Sequence, residues 1–400
     1  MTAVPTINYY QIKTTSSPVA TPQLKFTPSP GGILLTASPT PTPLPMTSST
    51  PAPLATETEI IATPTPAEHT LDPVLGKIDY VSLTIVPSVL HVDSVLPNGN
   101  RFFYLGTVWK TQESWNPNTI FTYNTQTGKS SWLTTSVYGD QGFICCLDAS
   151  AEWLAWLTNL PDGSRWKVFA KNLMTGREIL VDQQEDTRTV TFLGTDLAIS
   201  DHRLVWSSIR KAADGSNKSV VTLIDLSTGE KKNLAEVNEP EEGLGLVDID
   251  GDRVVWSKGS STGGINKANV YLFDLSQEKL FQVTDDDISS GPTINGDWMA
   301  WRQGFGETGP IVIYNLKTGE RFRLTVNGDF LRMGDGLLMW WTYLTPFTYV
   351  YDLQKNILDT AFNDGHFYPP HYISGHTIAA ATAPNDNAGH NLIEVHVYQP

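Results

Sequence analysis

The 400-residue sequence predicts an all-β protein assembled from seven repeats behind a front segment without regular structure. Three observations predict it. Short apolar strands bounded by Gly, Asn, Asp and Ser run from residue 95 to the C-terminus, with no long 3.6-residue periodicity. An aromatic-ended tetrapeptide recurs at intervals of 39 to 52 residues. And 14 of the 26 prolines precede residue 76, whereas all 12 tryptophans lie between Trp109 and Trp341, so the chain has two physical regimes.

The front regime comes first. Residues 14 to about 75 are rich in Thr, Pro, Ser and Ala, as in Ala37-Ser38-Pro39-Thr40-Pro41-Thr42-Pro43 and again in Thr63-Pro64-Thr65-Pro66. Proline fixes φ and lacks an amide hydrogen, so such a run cannot join a helix or a central strand. With few apolar side chains to bury it cannot offset the entropy of ordering. Residues 1–75 are therefore expected to be a disordered tail or stalk of polyproline-II character. Ser/Thr-Pro stalks of this kind suit exported proteins. The start, Met1-Thr2-Ala3-Val4-Pro5, has neither the basic nor the apolar part of a signal peptide, so the export signal is expected upstream of Met1. Asn217-Lys218-Ser219 is a lone glycosylation sequon.

Residues 76–400 carry the repeat. Its first unit is a polar turn and then a strand ending in an aromatic: Arg101-Phe102-Phe103-Tyr104, Trp153-Leu154-Ala155-Trp156, Arg203-Leu204-Val205-Trp206 and Arg253-Val254-Val255-Trp256. Trp298-Met299-Ala300-Trp301, Leu337-Leu338-Met339-Trp340 and the weaker Thr377-Ile378-Ala379-Ala380 continue the series. Asn98-Gly99, Asp250-Gly251 and Asn295-Gly296 supply the positive φ that tight hairpins need. The second unit is an apolar strand closed by an Asx turn, at Asn124, Asn172, Asp225, Asp274, Asn315 and Asp352. An outer strand such as Glu320-Arg321-Phe322-Arg323-Leu324-Thr325 completes each copy. Four antiparallel strands per repeat make one blade of a β-propeller, here of seven blades. The recurring Trp then packs between blades.

The seventh copy stops at Pro400, before its outer strand. The alternating stretch 79–86 belongs to no other copy and is expected to pair with strand 393–398, closing the ring.

The sequence Asp250-Gly251-Asp252-Arg253-Val254-Val255-Trp256-Ser257, followed by Asn269-Val270-Tyr271-Leu272-Phe273-Asp274-Leu275-Ser276 and Gln282-Val283-Thr284, resembles the TolB-type propeller repeat over residues 95–400. That resemblance implies the fold and leaves the role open, because the family spans the TolB propeller, the propeller domains of prolyl-oligopeptidase-type peptidases and many surface proteins. Seven copies depart from the six blades of TolB.

Net charge is −15, of which the first 75 residues contribute −2. An acidic surface repels phosphate backbones and anionic lipid, so no nucleic-acid partner is expected. No apolar run approaches a membrane span. Cys145 and Cys146 are adjacent and could close a strained ring, but Phe143-Ile144-Cys145-Cys146-Leu147 reads as an apolar strand in which each Cys packs as a small hydrophobe.

Candidate chemistry is sparse. Gly259-Ser260-Ser261-Thr262-Gly263 spells G-x-S-x-G, yet it falls between two strands of one blade, as a loop, and not on a strand-to-helix elbow. Asp248-Ile249-Asp250-Gly251-Asp252 and Asp285-Asp286-Asp287 are expected to be solvated turns. His366, His371 and His376 are the candidate metal ligands, on loops that one ring could bring together, as in the His-bound metal of oligogalacturonate lyases. No cofactor fingerprint is present. The expectation is a monomeric, non-enzymatic extracellular or envelope module that binds protein or glycan at a loop face or the channel mouth. A metal-dependent polysaccharide lyase or hydrolase is the alternative.

Overall fold

The computed structural model describes residues 58–60, 69–85, 91–107, 118–139, 142–160, 164–185, 196–262, 265–304, 309–341, 347–363, 372–382 and 392–399. Every regular element among them is a β-strand, and none is a helix long and apolar enough to cross a membrane. Four strands come from the front of the chain: β1 (Thr58–Ile60), β2 (His69–Leu71), β3 (Val74–Leu75) and β4 (Tyr80–Ile85). Consecutive antiparallel strands follow. Group I holds β5–β8 (His91–Asn98, Arg101–Thr107, Thr119–Asn124, Lys129–Thr135) and group II holds β9–β12 (Phe143–Ala149, Trp153–Asn159, Arg165–Asn172, Glu178–Glu185). Group III holds β13–β16 (Leu197–Ser200, Arg203–Lys211, Asn217–Asp225, Lys231–Asn238) and group IV holds β17–β20 (Glu242–Asp250, Arg253–Thr262, Ile265–Asp274, Lys279–Gln282).

The long strand β24 (Arg321–Gly334) serves two groups. Its first half pairs with β23 in group V, which also contains β21 and β22 (Ser289–Asn295, Trp298–Gln303, and Gly309–Asn315 for β23). Its second half opens group VI with β25–β27 (Leu337–Trp341, Phe347–Asp352, Ile357–Asn363). Group VII holds β28–β30 (Tyr372–Ser374, Thr377–Thr382, Leu392–Tyr398).

Packing joins the groups in sequence. Each group presents apolar side chains on both faces, and each apolar cluster lies between two consecutive groups: Trp206 and Leu204 of III meet Ala155 and Leu157 of II, and Trp256 and Val254 of IV meet Val205 and Val221 of III. Another cluster unites VII with I, through Ala379, Ala381, Ile393 and Val395 against Val92, Val95 and Tyr104, with Ile85 of β4 between them. The repeated aromatics form the centre of this packing, since Trp156, Trp206, Trp256, Trp301 and Trp340 are each at most 2% exposed. Burying a side chain that large contributes several kcal/mol apiece, about 3–5 by the cost of truncating one to Ala.

Local chemistry fixes the turns. The carboxylate or amide oxygen of Asn124, Asn172, Asp225, Asp274, Asn315 and Asp352 accepts from the backbone N–H groups two and three residues on. These side chains take the place of missing ladder partners at each outer hairpin. Neighbouring groups are also stitched at their inner turns. Arg203 donates to Gly251 O (3.1 Å) and Arg253 to Gly296 O (2.8 Å), each reaching one group forward.

Of residues 1–75 only 58–60 and 69–75 are described, and these carry paired strands where a disordered tail was expected. β1, β2 and β3 pair in parallel with the outer strands β20, β24 and β27, adding an edge strand to groups IV, V and VI in turn. The prolines at 64, 66 and 73 fall between these short ladders, so no paired residue lacks its amide hydrogen. β4 lies antiparallel to β30, from Tyr80↔Tyr398 to Ile85↔Ile393. A second correction concerns Gly259-Ser260-Ser261-Thr262: it is the end of strand β18 and not a loop.

Candidate functional site

The innermost strands β5, β9, β13, β17, β21, β24 and β28 surround a common channel, which holds a cavity of about 170 Å³ lined by residues of each. That is room for about five water molecules or one small ligand group. The wall narrows between groups VI and VII. A Cβ built on Gly334 would lie 2.1 Å from Gly375 O, so only glycine permits this approach of β24 to the β28–β29 turn.

A shared irregularity shapes the wall. In groups II, IV, V and VI the inner strand carries a bulge opposite the repeated Trp, at Trp156, Trp256, Trp301 and Trp340. The residues there with positive φ are Cys146, Leu246, Gly291 and Phe330. Two residues later the strand has been re-aimed, and Asp148, Asp248, Thr293 and Arg332 line the channel. The equivalent positions in the other groups are Leu96, Ala198 and Tyr372, paired with Phe103, Val205 and Ala379. One register position therefore carries Leu, Asp, Ala, Asp, Thr, Arg and Tyr in turn around the wall.

The carboxylates there are anchored. Asp148 accepts from Ile199 N–H (2.8 Å) of the next group and from its own neighbour Ala149 N–H (2.8 Å). Asp248 accepts from Ile294 N–H (2.9 Å), Thr293 Oγ1 (2.7 Å) and Ile249 N–H (2.8 Å). Thr293 Oγ1 in turn accepts from Met333 N–H (3.2 Å), so one relay ties groups IV, V and VI. Asp248 is thus a half-buried staple, which corrects the expectation of a solvated turn at that residue, whereas Gly251 and Asp252 form an exposed turn as expected.

One layer away, Asp196 Oδ1 accepts from Leu197 N–H (2.9 Å), and its Oδ2 faces Arg332 Nη2 at 3.8 Å. Asp196 precedes group III and Arg332 belongs to group VI, so this pair crosses the channel. Arg332 is surrounded by the wall, yet 36% of its side chain remains reachable by water standing in the channel. The pair is accordingly screened and contributes little stability of its own.

Desolvation governs the titration of these groups. Burial pushes Asp148 up to about 7 against the N–H bonds that favour its ionised form, and the nearby Asp248 charge adds to the rise. Burial raises Asp196 to about 6 despite Arg332, and raises Asp248 as well. Three carboxylates around one guanidinium cannot all ionise cheaply in one confined space.

Of the sequence-selected histidines only His376 is described, and it does not line this cavity. His376 lies in the β28–β29 turn, half-buried, with its carbonyl accepting from Tyr398 N–H (2.9 Å). His366 and His371 lie outside the described residues. Among the described residues no three His, Cys, Asp or Glu side chains are grouped to hold a metal ion. Asp286 caps the turn before β21 through Ile288 N–H and Ser289 Oγ, and Asp287 pairs with Lys267, so this acidic run stays a surface turn. Cys146 is partly buried at its bulge, packed against the core between groups II and III. Sequence reasoning missed Asp148, Asp196, Arg332 and Tyr372. The signal was present: the channel position lies eight residues before the aligned end of the repeat in all seven copies.

Solved structures similar to this chain are β-propellers of varied activity. The β-propeller domain of the Trilobed protease from Pyrococcus furiosus, described as having an open velcro topology, matches at 11% identity over 74% of this chain and 91% of that one (TM-score 0.52). An oligogalacturonate lyase in complex with manganese matches at 13% identity over 82% of this chain and 98% of that one (TM-score 0.51). Acylaminoacyl peptidase from Pyrococcus horikoshii matches at 12% identity, and the chain spans only 48% of it (TM-score 0.51). TolB from Acinetobacter baumannii is among the similar structures as well, at 14% identity over 68% of this chain and 64% of that one (TM-score 0.43). No protein-family model matches the chain, and no curated relative does. At these identities the likeness establishes the fold alone: the chain is an all-β protein of four-stranded antiparallel sheets with the β-propeller architecture.

Proposed function

We propose that the chain is a seven-bladed propeller, each group above being one blade, and that it acts as a non-enzymatic extracellular or envelope module binding a protein or glycan partner at the channel mouth. One observation carries the reading. Positions that build the fold repeat their chemistry, with Trp at the blade seam and Asx at the outer turn. The channel position does not: Leu96, Asp148, Ala198, Asp248, Thr293, Arg332 and Tyr372 differ in size and charge. Packing demands are alike in every blade, so diversity confined to the wall suits recognition of an asymmetric ligand. Within that wall Asp148 and Asp248 are occupied by backbone N–H groups, whereas Arg332 and Asp196 keep bonding capacity for a ligand.

Pull-downs and glycan arrays with the purified chain, repeated with Arg332→Ala, test this. The expected result is a partner whose affinity falls at least about tenfold in the variant, the cost of about 1.4 kcal/mol typical of one charged contact. A partner retained equally by both proteins would move the site off the channel. Turnover of a pectic polysaccharide, with metal bound in stoichiometric amount, would instead favour the lyase reading on His366, His371 and His376.

A further inference from the structure

The seam where the ring meets itself contains a buried imidazole that the channel reading does not use. His396 sits on β30, opposite Ser82 of β4, and is 5% exposed. Its ring is sandwiched between Tyr80 of β4 (centroids 4.0 Å apart, planes 14° apart) and Phe362 of β27 (4.3 Å, 34°). Its Nδ1 has no hydrogen-bond partner, and neither has the buried hydroxyl of Tyr398 beside it.

The same seam holds the front segment. Asp359 of β27, itself buried, accepts from Lys77 Nζ (2.8 Å) and Ile78 N–H (3.0 Å), and Ile78 is buried against Met339, Ile378 and Tyr398. The titratable and charged groups facing His396 are therefore Asp359 from β27, Lys77 from the segment before β4, Tyr80 from β4 and Tyr398 from its own strand. β29 places Ile378 opposite it and adds no charge. The one anion, Asp359, already has Lys77 and Ile78 N–H on its two oxygens.

We infer that His396 is a proton-operated latch: neutral, it stacks the β4 strand onto blades VI and VII, and protonated from solvent it loosens the β4–β30 seam while the other blades stay closed. The chemistry of the pocket supports this. Burial holds His396 well below its ordinary range, down to about 4, with Asp359 opposing the shift and Lys77 adding to it. A histidine lowered in the folded state stabilises above its unfolded value near 6.5, and that contribution is lost as pH falls from there to about 4. The seam's closed-to-open ratio then drops by roughly two orders of magnitude.

Hydrogen exchange on the full chain, from pH 7 to pH 4, reads the latch directly. Protection factors across 80–85 and 392–398 should fall by about a hundredfold, while those across 253–274 hold. The His396→Phe variant, which keeps the aromatic sandwich and cannot take a proton, should keep the seam protected throughout. Equal loss of seam protection in both proteins would overturn the latch. Should the variant fail to fold, imidazole NMR titration of the wild type decides: a His396 midpoint near 6.5 overturns the proposal, and one near 4 that coincides with the loss of β4 protection supports it.

Discussion

Blade IV draws its four antiparallel strands from one stretch, 242–282, and buries Trp256 at its repeat position; blade VII takes only three strands from its own stretch and borrows β4 from the other end of the described chain, with Ala380 where the tryptophan would stand. Each has four antiparallel strands, with β1 added in parallel at the edge of blade IV, and the two have opposite dependencies. Blade IV can form as soon as its own hairpins do, because its contacts are local. Blade VII cannot complete its sheet until the front segment returns, so ring closure waits on a contact of very long sequence separation. Its seam leaves polar atoms of His396 and Tyr398 unpaired, as other groups do at Trp206, Trp301 and Trp340, whereas no such atom falls among the described residues of 242–282. The difference lies in connectivity: one sheet is continuous in sequence and the other is completed from afar.

Three changes would break or sharpen this contrast. The largest effect is expected from removing residues 1–85, which strips β4 from β30 and Ile85 from the seam between blades VII and I. Cooperative denaturant unfolding should be lost, at a cost of more than about 5 kcal/mol. Removing only 1–75 spares β4 and should cost about 1–2 kcal/mol, the worth of a few edge pairs. Equal losses would mean that the outer belt, and not β4, holds the ring. Next, Trp256→Ala should cost about 3–5 kcal/mol in chemical denaturation, a defect local to the seam between blades III and IV.

The smallest effect concerns pH and runs opposite to the latch. Asp196 is raised to about 6 in the folded protein, so its contribution to stability is fully present below about 3.8 and is lost as pH rises through 6. Wild-type stability should fall by about 1–3 kcal/mol between pH 4 and pH 7 on this account, and Asp196→Asn should flatten that limb of the curve. A limb unchanged in the variant would assign the dependence to Asp148 or Asp248 instead.

Much of this architecture was legible because each blade states its own chemistry. The Asx residues that cap the outer turns, the glycines of the inner turns and the tryptophans of the blade seams are all named by residue type, and each does locally what its side chain dictates. The front segment was not legible. Its prolines rule out long strands but not ladders of two or three residues set between them, and Thr58–Ile60, His69–Leu71 and Val74–Leu75 use those gaps. The channel was half legible. Asp248 was visible as an acidic turn, but its burial depends on a bulge at Leu246 and on Ile294 one blade away, and neither follows from the local sequence. The crowding of histidines near the C-terminus drew attention to His366, His371 and His376, whereas the convergent charges came from Asp148, Asp196 and Arg332, spread over almost two hundred residues.

The belt of β1, β2 and β3 has a mechanical consequence. These strands hold blades IV, V and VI by ladders of three, three and two residue pairs, and the chain reaches the six-pair ladder of β4 only after them. Tension applied ahead of Thr58 therefore meets the ladders one at a time. Each is a fuse: it parts, releases the slack behind it and passes the load on. The closure of the ring, last in line, feels a pull only after three weaker joints have failed.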